Sequence, residues 1–173
     1  MNKSIFKYPA LITYLVRTLQ VRYPDKQIGK TIIQKMIYLL TLRGLIDIRY
    51  SMYYYGPYSQ EVTDALNLAE NTGAVEIKWV NDEGYFIHSK PGFSEKFEHL
   101  LDEHEKGCIA DIVETFGGLK SNELSIIATG LYLKSNFEIP NEKLMDAIRD
   151  IKPQYSKDYI KNVLEKGGIL CNL

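Results

Sequence analysis

Ser59-Gln60-Glu61-Val62-Thr63-Asp64-Ala65-Leu66-Asn67-Leu68-Ala69-Glu70-Asn71-Thr72-Gly73-Ala74-Val75-Glu76-Ile77-Lys78-Trp79-Val80-Asn81-Asp82-Glu83-Gly84-Tyr85-Phe86-Ile87-His88 carries two periodicities in succession. Val62, Ala65, Leu66 and Ala69 recur at helical spacing, and Ser59 stands where an N-cap belongs, with Glu61 favourably placed against the helix dipole. Gly73 stops that helix. Val75–Val80 then alternates as a strand, Asn81-Asp82-Glu83-Gly84 reads as a hairpin turn, and Tyr85–His88 returns. Helix, glycine and hairpin in that order predict a winged-helix module of the helix-turn-helix type. Ser59–Thr72 is its recognition-type helix and Val75–His88 its wing.

The segments before it fit that module. Ile5–Tyr23 has a broad apolar stripe (Phe6, Leu11, Ile12, Leu15, Val16, Leu19) and ends at Pro24-Asp25. Lys30–Leu42 is apolar almost all round, so most of its surface should be buried; its polar strip is Lys30, Gln34, Tyr38 and Thr41. Tyr50–Tyr55 is rich in β-favouring residues and reads as a short strand, broken by Gly56-Pro57.

After Pro91-Gly92, Ser94–Phe116 reads as a long charged amphipathic helix with Gly107 as its point of interruption. Three further helices follow, Ser121–Lys134, Asn141–Ile151 and Ser156–Lys166, with Ser121, Asn141 and Ser156 as N-caps. The fold class expected is mostly α with a small antiparallel β wing: a winged-helix-like module over residues 1–92 and a helical module over 93–173, sharing one core. Lys152-Pro153-Gln154-Tyr155-Ser156 echoes Gly56-Pro57-Tyr58-Ser59, but a good helix start explains both, and one echo does not establish a repeat.

Composition narrows the function classes. No apolar run approaches the ~18 residues that cross a bilayer, and Met1–Tyr8 lacks the pattern of a signal peptide. Cys108 and Cys171 have no metal-type spacing and read as reduced thiols of a cytoplasmic protein. Net charge is −1, yet residues 1–59 hold nine basic residues against Asp25 and Asp47, a balance of +7, and residues 60–173 carry −8. That asymmetry marks either an anionic partner or two halves of one fold that attract each other. The recognition-type helix offers Gln60, Thr63, Asp64, Asn67, Glu70 and Asn71 with no Lys or Arg, and the wing sets Lys78 and Lys90 against Glu76, Asp82 and Glu83. Such a face is poor for duplex DNA, because phosphate neutralisation supplies most non-specific affinity, and suits a protein partner better.

The densest candidate site is Gln34, Lys35 and Tyr38 with Tyr55, Gly56, Pro57, Tyr58 and Ser59. Two readings stand side by side. The group forms a small polar pocket or peptide-binding surface, or Gln34 and Tyr38 hydrogen-bond the backbone of the Gly-Pro turn while the tyrosines pack at the core edge. His104 and Cys108 at i, i+4 have no third ligand at helical spacing, so no metal is expected. No Ser/His/Asp, Cys/His or paired-carboxylate arrangement can be assembled by spacing, and no phosphate loop or cofactor motif is present, so no catalytic or cofactor-binding residue is assigned.

The same residues resemble a known family. Ile28-Gly29-Lys30, Gln34-Lys35-Met36-Ile37-Tyr38 and Tyr54-Tyr55-Gly56-Pro57-Tyr58-Ser59-Gln60-Glu61 look like the signature of the YwgA family of uncharacterised prokaryotic proteins. They are similar, more distantly, to the Panacea domain of SocA-like antitoxins. The resemblance is strongest over residues 28–75 and looser from Asn122 to Leu170. It implies a helical, winged-helix-like fold. From the Panacea side it implies an antitoxin or proteolytic-adaptor role in a prokaryotic cell or phage, with a toxin or protease as the bound partner. The leading expectation is therefore a cytoplasmic, non-enzymatic protein-interaction module. A winged-helix DNA-binding regulator is second, and a small hydrolase or nuclease built from dispersed residues third.

Overall fold

The computed structural model describes residues 5–92 and 94–170. The readings on Met1–Ser4 and on Cys171 lie outside the described residues. The elements run α1 (Lys7–Arg22), α2 (Lys30–Leu42), β1 (Ser51–Tyr53), β2 (Gly56–Tyr58), α3 (Gln60–Asn71), β3 (Val75–Val80), β4 (Gly84–Ser89), α4 (Ser94–Glu98), α5 (Glu103–Phe116), α6 (Ser121–Phe137), α7 (Asn141–Ile151) and α8 (Lys157–Lys166). The chain is mostly helical with two small antiparallel hairpin sheets, β1–β2 and β3–β4.

One buried cluster joins these elements. α1 contributes Leu11, Leu15 and Leu19, α2 contributes Ile33, Met36 and Leu40, and α5 contributes Ile109 and Ile112; α6, α7 and α8 add Ile127, Ile148 and Ile160. Every residue from Ile32 to Leu40 of α2 is buried, which follows from apolar side chains all round that helix. At ~1.5–3 kcal/mol per buried large aliphatic, this cluster is the dominant stabilising term.

The β3–β4 hairpin is fastened to the α1–α2 region through its backbone. Ile87 N–H donates to Ile28 C=O at 2.9 Å. Gln27 Nε2 donates to Glu83 C=O and Tyr85 C=O at 2.7 and 3.1 Å, and Gln20 Oε1 accepts from the Ser89 N–H and hydroxyl. The strands pair from Val75↔Ser89 to Val80↔Gly84, so Trp79 lies opposite Tyr85.

The charge asymmetry is met in part inside the fold. Lys7 pairs with Glu105, Arg17 with Glu98, Arg22 with Glu114 and Arg43 with Asp111. Basic residues of α1 and of the end of α2 thus face acidic residues of α4 and α5, and the two halves attract each other.

Several sequence expectations need correction. Gly56-Pro57 does not end the β structure: Gly56–Tyr58 is itself a strand, paired Ser51↔Tyr58, Met52↔Pro57 and Tyr53↔Gly56. Pro57 lacks an N–H but is tolerated because a two-stranded hairpin leaves each strand an edge. The helix drawn from Ser94 to Phe116 is two helices, and the break falls before Asp102, not at Gly107, which lies inside α5. Asp102 caps α5 by accepting from Glu105 N–H while the Glu105 carboxylate accepts from Asp102 N–H, a capping box that starts a new helix there. Ser121 and Asn141 are first helical residues rather than caps, with Lys120 and Pro140 in the cap positions. Ser156 does cap α8, accepting from Tyr159 N–H. Ser59 holds the cap position of α3 but its hydroxyl makes no capping bond. Among the described residues, no helix is long and apolar enough to cross a membrane.

Candidate functional site

α2 presents Gln34 and Lys35 to the β1–β2 hairpin, and its burial forces both polar groups to find partners there. The Gln34 amide clamps Ser59: Nε2 donates to Ser59 C=O at 2.9 Å and Oε1 accepts from Ser59 N–H at 3.0 Å. This side chain satisfies both main-chain groups of one buried residue, as a neighbouring strand would. Gln34 Nε2 also reaches Thr63 Oγ1 at 3.1 Å, and Thr63 Oγ1 lies 2.8 Å from the Tyr58 hydroxyl.

Lys35 is 2% exposed, and its Nζ donates to Pro57 C=O at 2.7 Å. Lys152, 1% exposed, sends its Nζ to Tyr54 C=O at 3.3 Å. Ser125 Oγ donates to Tyr55 C=O at 2.7 Å. Two buried ammonium groups and a hydroxyl thus hold three carbonyls of one short turn. Among the described residues no carboxylate lies within ion-pair distance of either lysine. Burial pushes the Lys35 amine down to about 7, with repulsion from Lys152 adding to it, and burial pushes Lys152 down to about 8.

Gly56 closes the turn with φ +93°, and a Cβ there would stand 2.7 Å from Thr129 Oγ1 and 3.2 Å from Ser125 C=O. The hairpin backbone therefore rests directly on α6. On its other side the side chains point outward: Tyr53, Tyr54 and Tyr55 are 62%, 75% and 62% exposed. An open groove of about 520 Å³ runs beside them, with Lys30, Thr31, Gln34 and Tyr58 on its walls.

Of the sequence-predicted site residues, Gln34, Lys35, Tyr55, Gly56, Pro57, Tyr58 and Ser59 come together here. Tyr38 does not. Its ring packs against Tyr50 and Tyr132, at 4.9 and 6.3 Å between centroids, rather than bonding the Gly-Pro turn. Burial pushes its phenol up to about 12, with the Ser135 hydroxyl opposing. Tyr38 stands on nearly the same face as Gln34 but one turn further along α2, and that rise carries its ring past the Gly-Pro turn to Tyr50 and Tyr132. Sequence reasoning missed Lys152, Ser125 and Thr129, which stand far along the chain and carry no local signal of where they dock. His104 Nε2 lies 3.7 Å from Cys108 Sγ, and among the described residues no group of three His, Cys, Asp or Glu is placed to hold a metal.

The internal reading holds for Gln34, which bonds the Ser59 backbone beside the turn, and not for Tyr38. The polar groups of Gln34 and Lys35 are spent internally, and the tyrosines face out. Gln34→Ala is expected to cost about 2 kcal/mol, since it orphans the buried Ser59 N–H and leaves Ser59 C=O only the 3.4 Å bond from Thr63 N–H. Thermal or denaturant unfolding checks this, and a loss under about 0.5 kcal/mol would remove the clamp from the account.

No protein-family model matches the chain, and no curated protein matches it either.

Proposed function

We propose that this protein is a non-enzymatic protein-interaction module. It docks a protein partner through the Tyr53–Tyr55 hairpin tip on a winged-helix-like scaffold of α2, α3 and β3–β4. One observation carries this reading: three consecutive tyrosines are more than half exposed on a turn whose carbonyls are held by Lys35, Lys152 and Ser125. Tyrosine gives large amphipathic contact area with only two side-chain torsions to freeze, and tyrosines are enriched among the residues that dominate interface energies. A turn already immobilised by buried bonds loses little further entropy on binding. The antitoxin-like or adaptor role implied by the motif resemblance is the most concrete form of this function, with a toxin or protease as partner. α3 argues against a DNA-binding regulator, because its exposed side chains include Asp64 and Glu70 and no Lys or Arg.

The test is Tyr54→Ala with Tyr55→Ala. Removing two exposed rings should leave the melting temperature within about 2 °C of the parent, because surface substitutions move stability little. The same change should weaken a stoichiometric partner, recovered from the native host with the parent chain, by about 100-fold. Undiminished partner binding by the double variant, or no stoichiometric partner for the parent chain, would sink this reading.

A further inference from the structure

A second surface lies next to the hairpin and differs from it in chemistry. With Lys7, Arg17, Arg22 and Arg43 engaged by acidic residues of α4 and α5, Lys26, Lys30, Lys35 and Arg49 remain among the described residues of the basic N-terminal third, and of these Lys26 and Lys30 border one cavity. Lys120, at the start of α6, joins them around a cavity of about 500 Å³ between the α1–α2 loop, the β3–β4 turn and α6. None of the three has a carboxylate within ion-pair distance among the described residues. Lys26 Nζ is anchored on Leu119 C=O. Glu83 lines the same cavity, at the exposed tip of the β3–β4 turn. Glu123, close beneath, is engaged by Lys166 Nζ and by Lys120 N–H.

Aromatic rings border these cations. Lys30 Nζ lies 4.0 Å from the Tyr85 ring centroid. Tyr85 meets Trp79 edge to face at 4.8 Å, and Trp79 is 60% exposed. A large exposed indole on a short hairpin contributes nothing to the core and presents an open π-face. Lys30 and Thr31 stand between this cavity and the tyrosine groove and line both.

We infer that this face binds a short single-stranded nucleic acid, with phosphates on Lys26, Lys30 and Lys120 and an unstacked base on Trp79. Cations tracking a backbone beside exposed rings are the physical recipe for single-strand recognition. A duplex fits worse, because its bases are already stacked and α3 brings no cation to a groove. An acidic peptide would satisfy the lysines but has no base to lay on the indole. This surface is separate from the Tyr53–Tyr55 tip, and the inference does not depend on the protein-docking reading.

The test uses a labelled oligothymidylate of about 12 nucleotides, titrated by fluorescence anisotropy between about 50 and 200 mM salt. Emission of Trp79, the single tryptophan of the chain, is followed in parallel. Three phosphate contacts predict a slope of log K against log salt near about −2. Stacking predicts quenching of Trp79 that saturates with the anisotropy. Trp79→Ala should weaken binding by about tenfold or more, and Lys120→Glu, at an exposed position, should do the same. The Tyr54→Ala, Tyr55→Ala double variant should keep at least half the affinity.

Three results would overturn the inference. One is no saturable binding at the lowest salt. Another is a blunt duplex of equal length binding as tightly. The third is a polyglutamate peptide displacing the strand at equal charge concentration with the same Trp79 quenching.

Discussion

Raising the pH from about 6 to 9.5 is expected to stabilise the protein by several kcal/mol, and Lys35→Met to remove most of that gain. Lys35 and Lys152 hold amines at about 7 and about 8 in the fold, against ~10.4 for an unfolded chain. Between those values the unfolded chain binds more protons than the native one, so stability rises with pH. The favourable contribution is complete above the unfolded value and is lost as pH falls through about 8 and then about 7. For Lys35 alone the difference amounts to roughly 3–5 kcal/mol, since each pKa unit is worth ~1.4 kcal/mol. Where both amines titrate only in the unfolded state the slope approaches ~2.7 kcal/mol per pH unit.

The gain has an upper limit set by tyrosine. Burial raises the phenols of Tyr38 and Tyr50, so their contribution is present below the unfolded value of ~10 and is lost as pH climbs through the folded one. Maximum stability should therefore sit near pH 9–10, well above the usual range of about 5–8.

Urea unfolding at half-unit pH steps measures this directly. Lys35→Met leaves Pro57 C=O without its donor, which costs ~1–3 kcal/mol, but removes the larger penalty of a buried ammonium. The variant should match or exceed the parent at pH 6 and fall below it at pH 9.5. A parent profile that is flat between pH 7 and 9.5 would show that these amines are solvated in solution and would refute the assignment.

How much of this was legible in the sequence depends on whether the signal is local. α2 could be bounded to the residue, because Ile32–Leu40 is a run whose helical spacing admits only a buried helix and Gly29 and Gly44 flank it. The β3–β4 hairpin was equally plain from alternation around Asn81–Gly84. The charge imbalance left open an anionic partner or attraction between two halves, and the α1–α4 and α1–α5 pairs fit the second.

Other features defeated local reading. Phe97, Leu100 and Leu101 keep helical spacing across the gap between α4 and α5, so periodicity bridged a break that the Asp102-x-x-Glu105 capping box in fact marked. Gly56-Pro57 signals a turn by propensity, and only pairing with Ser51–Tyr53 makes it a strand. The same Tyr-Ser helix start gives a capping hydroxyl at Ser156 and an unpartnered one at Ser59, whose backbone is held by the Gln34 clamp instead. That most of α2 would be buried was legible from its apolar surround, and Lys35 shares that burial. That a second lysine would come from residue 152 to the same turn is a tertiary fact with no sequence trace.

Gly56→Ala is expected to lower stability by about 3–5 kcal/mol, or roughly 10 °C in melting temperature for a chain of this size. Two costs combine. At φ +93° an L side chain is strained, at ~1–3 kcal/mol. The added Cβ would also sit 2.7 Å from Thr129 Oγ1 and 3.2 Å from Ser125 C=O, and the second of these is helix backbone that cannot swing aside. Overpacking of this kind costs ~1–3 kcal/mol.

The two costs can be separated with Thr129→Ala. In the Gly56→Ala background it removes the nearer obstacle and should return about 1 kcal/mol, while the backbone strain and the Ser125 contact persist. Displacing the turn from α6 also lengthens the Ser125–Tyr55 and Lys35–Pro57 bonds, so the Lys35 ammonium becomes easier to hydrate. The pH dependence of stability in Gly56→Ala should therefore be shallower than in the parent between about pH 7 and 9.5. A Gly56→Ala protein within about 1 kcal/mol of the parent, with the parent's pH slope intact, would mean that the hairpin does not rest on α6. The rigid turn on which the exposed tyrosines depend would then have no physical basis.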